Sequence, residues 1–192
     1  MGATIMFNDS IIGDILRQAQ MPQIEENTQT AYSIVDRSVS GNLVLEAVKS
    51  VGEYAFYYCT GLTSVKLPVA TTICEQAFLY CINLVSLDLP AVTKIGHRIN
   101  LDCLHLSTVI LRGKTMVEAL TDCPFYGNSM MSDGVSLSCP FRKGTARIYV
   151  PRSLVDAYKT AERWSTYANL FRALEDYTID GTTTGELDPS KI

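Results

Sequence analysis

Residues 51–68 read VGEYAFYYCTGLTSVKLP, and residues 73–90 read ICEQAFLYCINLVSLDLP. Laid over one another, they agree at a step of 22 residues. Cys59, Cys81 and Cys103 keep that step, as do Leu62, Leu84 and Leu106. Val65, Leu87 and Val109 follow it, then Leu67, Leu89 and Leu111. Val51, Ile73, Ile95 and Val117 carry it into a fourth copy. Ala55-Phe56 matches Ala77-Phe78, Tyr58 matches Tyr80, and Pro68 matches Pro90. A period shared by so many apolar positions marks a repeat architecture.

The spacing within one copy predicts its local structure. Leu62, Val65 and Leu67 combine a step of three with a step of two, as in a short strand entered from a turn. Pro68 ends that strand, because proline cannot donate to a ladder. Apolar residues at 51, 55, 56 and 59 have helical spacing and predict a short helical or 3₁₀ turn. Leu43 and Leu45 lie one period before Val65 and Leu67. Strands are therefore expected near 43–45, 64–67, 86–89, 108–111 and 147–150. One copy cannot bury its own apolar face, so copies stack. The expected fold is an α/β solenoid, right-handed, with one short parallel sheet of about five strands.

The pattern then loosens. Arg98 to Cys103 replaces the Ala-Phe-x-Tyr-Cys of the earlier copies, and an irregular excursion runs over 112–145. The pieces quoted for 51–68 and 73–90 resemble the BspA-type leucine-rich repeat family, over about residues 41–111 and again at the strand 146–151. IYVPRSLVDAYKTAERWSTYANLF (148–171) is similar to the helical end cap of phage-associated and gut-bacterial members. LEDYTIDGTTTGELD (174–188) resembles their tails. The resemblance implies a leucine-rich repeat fold and a link to phage.

Both ends of a solenoid need covering. At the C-terminal end Ser153 and Asp156 have capping-box spacing. Leu154, Val155, Tyr158, Ala161 and Trp164 make one apolar stripe. Tyr167, Leu170, Phe171 and Leu174 make another, with Ser165 as its N-cap. Two helices are expected over the last strand, with Trp164 plugging the open end. At the other end Asp9 or Ser10 caps a helix bearing Ile11, Ile12, Ile15, Leu16 and Ala19. That helix either covers the first coil or joins the protein to a partner or to another copy of itself. The expected organisation is 1–40 for the N-terminal helix and linker, 41–151 for the solenoid, and 152–192 for the C-terminal cap and tail.

Composition narrows the function. The 192 residues are 47% hydrophobic and 19% charged, with a net charge of −4. That apolar share fills a core. The mild acidity argues against nucleic acid, which calls for a basic stripe. The first twenty residues have no basic region, and Asn8, Asp9 and Asp14 interrupt their apolar run, so they do not read as a signal peptide. No apolar run approaches the roughly 20 residues needed to span a bilayer. Synthesis in a cytoplasm without a signal peptide, and action in a virion or in a host cytoplasm, is the expected setting.

Catalytic chemistry has little to rest on. His97 and His105 are the two histidines, and neither falls into a ligand or triad spacing. There is no Cys-x-x-Cys. Cys59, Cys81 and Cys103 recur with the repeat and read as an inward ladder of small apolar thiols. Cys74 stands where the other copies have glycine and reads as partly exposed. Cys123 and Cys139 flank the excursion and are the one pair that could bridge. No phosphate-binding glycine loop or nucleophile elbow occurs. A non-enzymatic protein with no cofactor and no metal is expected.

Contact surfaces are the remaining option. Alternation places Lys66, Asp88, Ile110, Arg147 and Tyr149 on the outward side of the sheet. Ile110 and Tyr149, read as exposed, would centre a protein or glycan contact, because apolar and aromatic groups enrich contact cores. Met130 and Met131 in the excursion are a second adaptable surface. The expected function is a protein- or glycan-binding repeat module carried by a phage particle. The alternatives are an inhibitor of a host defence protein acting inside the host, and a bacterial surface adhesin.

Overall fold

The computed structural model describes residues 37–121, 124–125, 140–178 and 186–187. The apolar period dictates its layout. Six strands form one parallel sheet: β1 (Ser40–Val44), β3 (Gly61–Lys66), β5 (Ser86–Asp88), β7 (Thr108–Ile110), β9 (Arg147–Val150) and β10 (Phe171–Ala173). Val65 pairs with Leu87 and Leu87 with Val109, so residues one period apart sit side by side. The next step is longer. Thr108 pairs with Arg147, 39 residues on rather than 22. The sheet absorbs the excursion as one enlarged coil and keeps its register.

A second sheet runs along the return path. β2 (Ser50–Val51), β4 (Thr72–Ile73), β6 (Lys94–Ile95) and β8 (Glu118–Ala119) are parallel and in register. This corrects the expectation of a single sheet. Val51, Ile73 and Ile95 follow the period because each is the inward residue of a two-residue strand. Gly96 is required here by close approach. A Cβ on it would lie 2.6 Å from the Glu75 nitrogen and 2.8 Å from the Cys74 carbonyl carbon.

The core lies between the sheets. Leu62, Leu67, Ile73, Leu84, Leu87 and Leu89 are all fully buried. Phe56 and Phe78 stack with centroids 4.9 Å apart and planes 10° from parallel. Cys59, Cys81 and Cys103 are buried free thiols, as the period predicts. Cys81 Sγ donates to the Phe56 carbonyl and Cys103 Sγ to that of Phe78, each at 3.0 Å. Thiols placed so are small core residues with satisfied donors.

The stretch 53–58 is neither helical nor 3₁₀, against expectation. It is a run of turns in which Tyr54 and Tyr58 take positive φ, of 58° and 63°. Gln76, Tyr80, Arg98 and Asp102 repeat this in the next two coils. Tyr58, Gln76 and Tyr80 among them aim their N–H groups at the following coil. Tyr58 N–H reaches the Leu79 carbonyl at 2.9 Å, and Tyr80 N–H reaches that of Leu101 at 3.0 Å. A continuous helical turn would spend those donors within its own coil.

The C-terminal end also differs. The expected two-helix cap is not found. In its place are a 3₁₀ turn (Arg152–Leu154), helix α2 (Val155–Thr160), a 3₁₀ segment (Ser165–Leu170) and strand β10. A short helix α1 (Pro140–Lys143) precedes β9. Neither Ser153 nor Ser165 caps a helix by its side chain: the residues at the cap positions are Pro151, Leu154 and Trp164. Phe171 pairs with Ile148, 23 residues earlier. The segment read as a cap is thus a further coil, and its Phe171 belongs to a sixth strand.

Trp164 does close the stack. It is 2% exposed, and its Nε1 donates to the Val117 carbonyl at 3.0 Å. Tyr158, Phe125, Tyr167 and Phe171 surround it, with centroids between 5.2 and 6.4 Å. The Tyr158 hydroxyl accepts from the Val117 N–H at 2.7 Å, and Tyr167 OH donates to the Phe125 carbonyl. Aromatic rings supply the apolar area that seals the last coil, while their polar tips satisfy its open backbone groups. The expected N-terminal helix at 9–19 lies outside the described residues.

Candidate contact surface

The outward side of the large sheet was the leading contact surface in the sequence. Register does bring its residues together. Lys66, Asp88, Ile110 and Tyr149 are neighbours on adjacent strands, with Arg147 two residues before Tyr149. Exposure is where the expectation fails. Ile110 is 2% and Tyr149 3% exposed, although neither belongs to the core between the sheets. Tyr177 packs its ring edge-on against Tyr149 at 5.1 Å. Burial is also the main cause that pushes the Tyr149 hydroxyl above its ordinary pKa, with Tyr177 adding to it.

Asp88 is likewise enclosed at 2% exposure. Its carboxylate meets Lys66 Nζ at 3.8 Å and Arg112 Nε at 3.2 Å. A buried carboxylate needs such partners, so Asp88 is committed within the chain. Lys66 stays half-exposed and Arg147 half-buried. Arg147 spends its guanidinium on the Gly144 and Ala146 carbonyls. Met130, Met131, Cys123 and Cys139 lie outside the described residues.

Other candidates resolve into structure. His97 Nδ1 lies 3.0 Å from the Thr121 hydroxyl, and His105 is exposed. Cys74 is half-buried, and its thiol is pushed up by burial and then by the Glu53 carboxylate. No group of three His, Cys, Asp or Glu residues suited to a metal ion occurs among the described residues. None of the described helices is long and apolar enough to cross a membrane.

The structure brings forward a different surface, at the turn edge. Tyr54, Tyr57, Tyr58 and Tyr80 cluster there, outside the core. Tyr57 and Tyr58 have centroids 5.3 Å apart, Tyr58 and Tyr80 5.3 Å, and Tyr57 and Tyr80 6.1 Å. Their planes are inclined by 48° to 69°, and Tyr54 adds an edge contact to Tyr57. Tyr58 is 48% exposed. The Arg37 guanidinium lies 5.1 Å from the Tyr57 ring centre. Asp102 follows Tyr58 and Tyr80 in the same ladder position and hydrogen-bonds Tyr80. Burial first, then that carboxylate, pushes the Tyr80 hydroxyl up.

This position demands an unusual backbone. A positive φ costs an ordinary L-residue of the order of 1 kcal/mol and suits Gly, Asn or Asp. Asp102 meets the demand, and the two tyrosines do not. The signal was present in the sequence as the match of Tyr58 to Tyr80 at one period. It was hidden because a tyrosine inside an apolar repeat reads as core.

Comparison with known families supports the architecture. Residues 40–136 match the BspA type leucine rich repeat region in six copies. This chain belongs to the BspA-type leucine-rich repeat family. The match begins with β1 and continues past Glu118–Ala119 into the enlarged coil. No curated protein matches the chain. Leucine-rich repeats commonly mediate protein binding, and the parallel sheets with few helices are those of a repeat solenoid.

Proposed function

We propose that this leucine-rich repeat protein is a non-enzymatic binding module that holds another protein at its turn edge. The observation that carries the reading is the cluster of Tyr54, Tyr57, Tyr58 and Tyr80 outside the core on a rigid stack. Tyrosine offers a large contact area at small conformational cost and is enriched in the energetic centres of protein interfaces. The coils supply a fixed backbone, so little ordering opposes association.

We also propose a setting on a phage particle, a reading that comes from the sequence resemblance of residues 148–171 and 174–188 alone. Mass spectrometry of purified particles tests it: the chain is expected in stoichiometric amount, and its absence from particles would discard that setting. The binding reading is tested by cross-linking the chain in lysate of the cells where it acts. One stoichiometric protein, linked through residues of 54–58 and 76–80, is expected. Cross-links confined to other surfaces would overturn it.

A further inference from the structure

We propose that Tyr58 and Tyr80 form a docking face for a protein segment that presents an arginine or lysine side chain. This rests on the protein-binding reading above and names the chemistry of the partner. The backbone at these positions does not itself call for tyrosine. The hydrogen bonds from Tyr58 N–H to Leu79 and from Tyr80 N–H to Leu101 set the left-handed backbone. Any residue with an N–H satisfies them, and asparagine or aspartate does so with less strain. Asp102 takes the same left-handed conformation in the third coil. The Tyr58 ring packs against Tyr57 and Tyr80, contacts that offset the backbone cost, while nearly half of it still faces water. That open half of the phenol is the area a contact outside the chain can use.

The face of a phenol ring attracts a cation, most often a guanidinium. Within this cluster one such contact already exists, Arg37 over Tyr57. The Asp102 carboxylate at the Tyr80 hydroxyl adds negative charge beside the outer rings. The chain as a whole carries a net charge of −4. Arginine is also among the side chains most enriched in interface centres. A basic side chain from the partner would lie across the Tyr58 and Tyr80 rings, toward the Asp102 end of the ladder.

The test uses the full chain with tyrosine rings labelled for NMR. The probe is a blocked Gly-Arg-Gly-Arg-Gly peptide, with its citrulline counterpart as the uncharged isostere. The arginine peptide is expected to shift the Tyr58 and Tyr80 ring signals saturably, and the citrulline peptide to bind at least tenfold more weakly. The double variant Tyr58→Asn, Tyr80→Asn is expected to lose the response while still melting cooperatively. Equal binding of the citrulline peptide, or no saturable shift, would overturn the proposal. So would ring shifts produced by soluble oligosaccharides and not by the arginine peptide, which would make the face a sugar platform. A partner lost on the double substitution, yet indifferent to removal of its own arginines and lysines, would overturn the cation and leave the binding reading standing.

Discussion

At the residue scale, the structure separates side chains that serve the stack from those that do not. Tyr158 serves it: 1% exposed, it accepts the Val117 N–H, and burial raises its hydroxyl pKa to about 12. The usual value is near 10. A raised pKa on an acid keeps the proton bound in the folded state, so the unfolded chain binds fewer protons between the two values. Its contribution is complete below pH 10 and is lost as pH rises toward 12. Tyr158→Phe is expected to cost about 1–3 kcal/mol at neutral pH by stranding a buried N–H. The same variant should lose less stability than wild type on going from pH 10 to 12, as denaturant melts at both pH values would show. An equally steep loss in the variant would remove this role. Gly96 is a second case. Gly96→Ala would drive a Cβ into the Cys74–Glu75 backbone, at an expected cost of about 1–3 kcal/mol, readable by thermal melting.

Much of this scale was legible beforehand, because inward residues recur. Leu62, Val65, Leu67, Cys59 and their counterparts were placed correctly by period alone. The exposure of Ile110 and Tyr149 was not legible. Alternation gives the side of the sheet, whereas burial on that side depends on what packs there, as Tyr177 does on Tyr149. The left-handed turns were hidden for a related reason. The usual marks of positive φ are Gly and Asn, and here the positions hold Tyr54, Tyr58, Gln76, Tyr80 and Arg98.

At the element scale, the unit is a coil contributing one strand to the large sheet and, in the first four coils, one to the second sheet. Its central member is Leu87, flanked in register by Val65 and Val109. Leu87→Asp places an unpaired charge in that row and is expected to abolish cooperative folding. A sharp melt near that of wild type would refute the inward assignment. The terminal coil shows where periodic reasoning stops. Tyr158, Ala161 and Trp164 mimic a helical stripe, and a 23-residue step replaces 22, so β10 escaped notice. Its lock is the aromatic group around Trp164. Trp164→Phe removes the Nε1 bond to the Val117 carbonyl and is expected to cost about 1–3 kcal/mol. Hydrogen exchange in that variant should rise first in 165–173 and leave 61–95 protected, because neighbouring coils share stability only through their contacts.

At the scale of the whole molecule, a stack sealed by an aromatic plug commits its sheet face and its acidic Asp88 internally. The turn edge is the surface proposed for the partner. That division was only half visible in the sequence. The repeat and its family were plain from 51–68 and 73–90, while the working surface was sought on the sheet because strands alternate and turns do not. Stability and binding should therefore depend on different residues. Hydrogen exchange with mass spectrometry, on the chain alone and with its partner bound, measures this most directly. New protection is expected in 54–58 and 76–80, with the 108–110 and 147–150 strands unchanged. Protection gained on those strands, with the turn edge untouched, would contradict it.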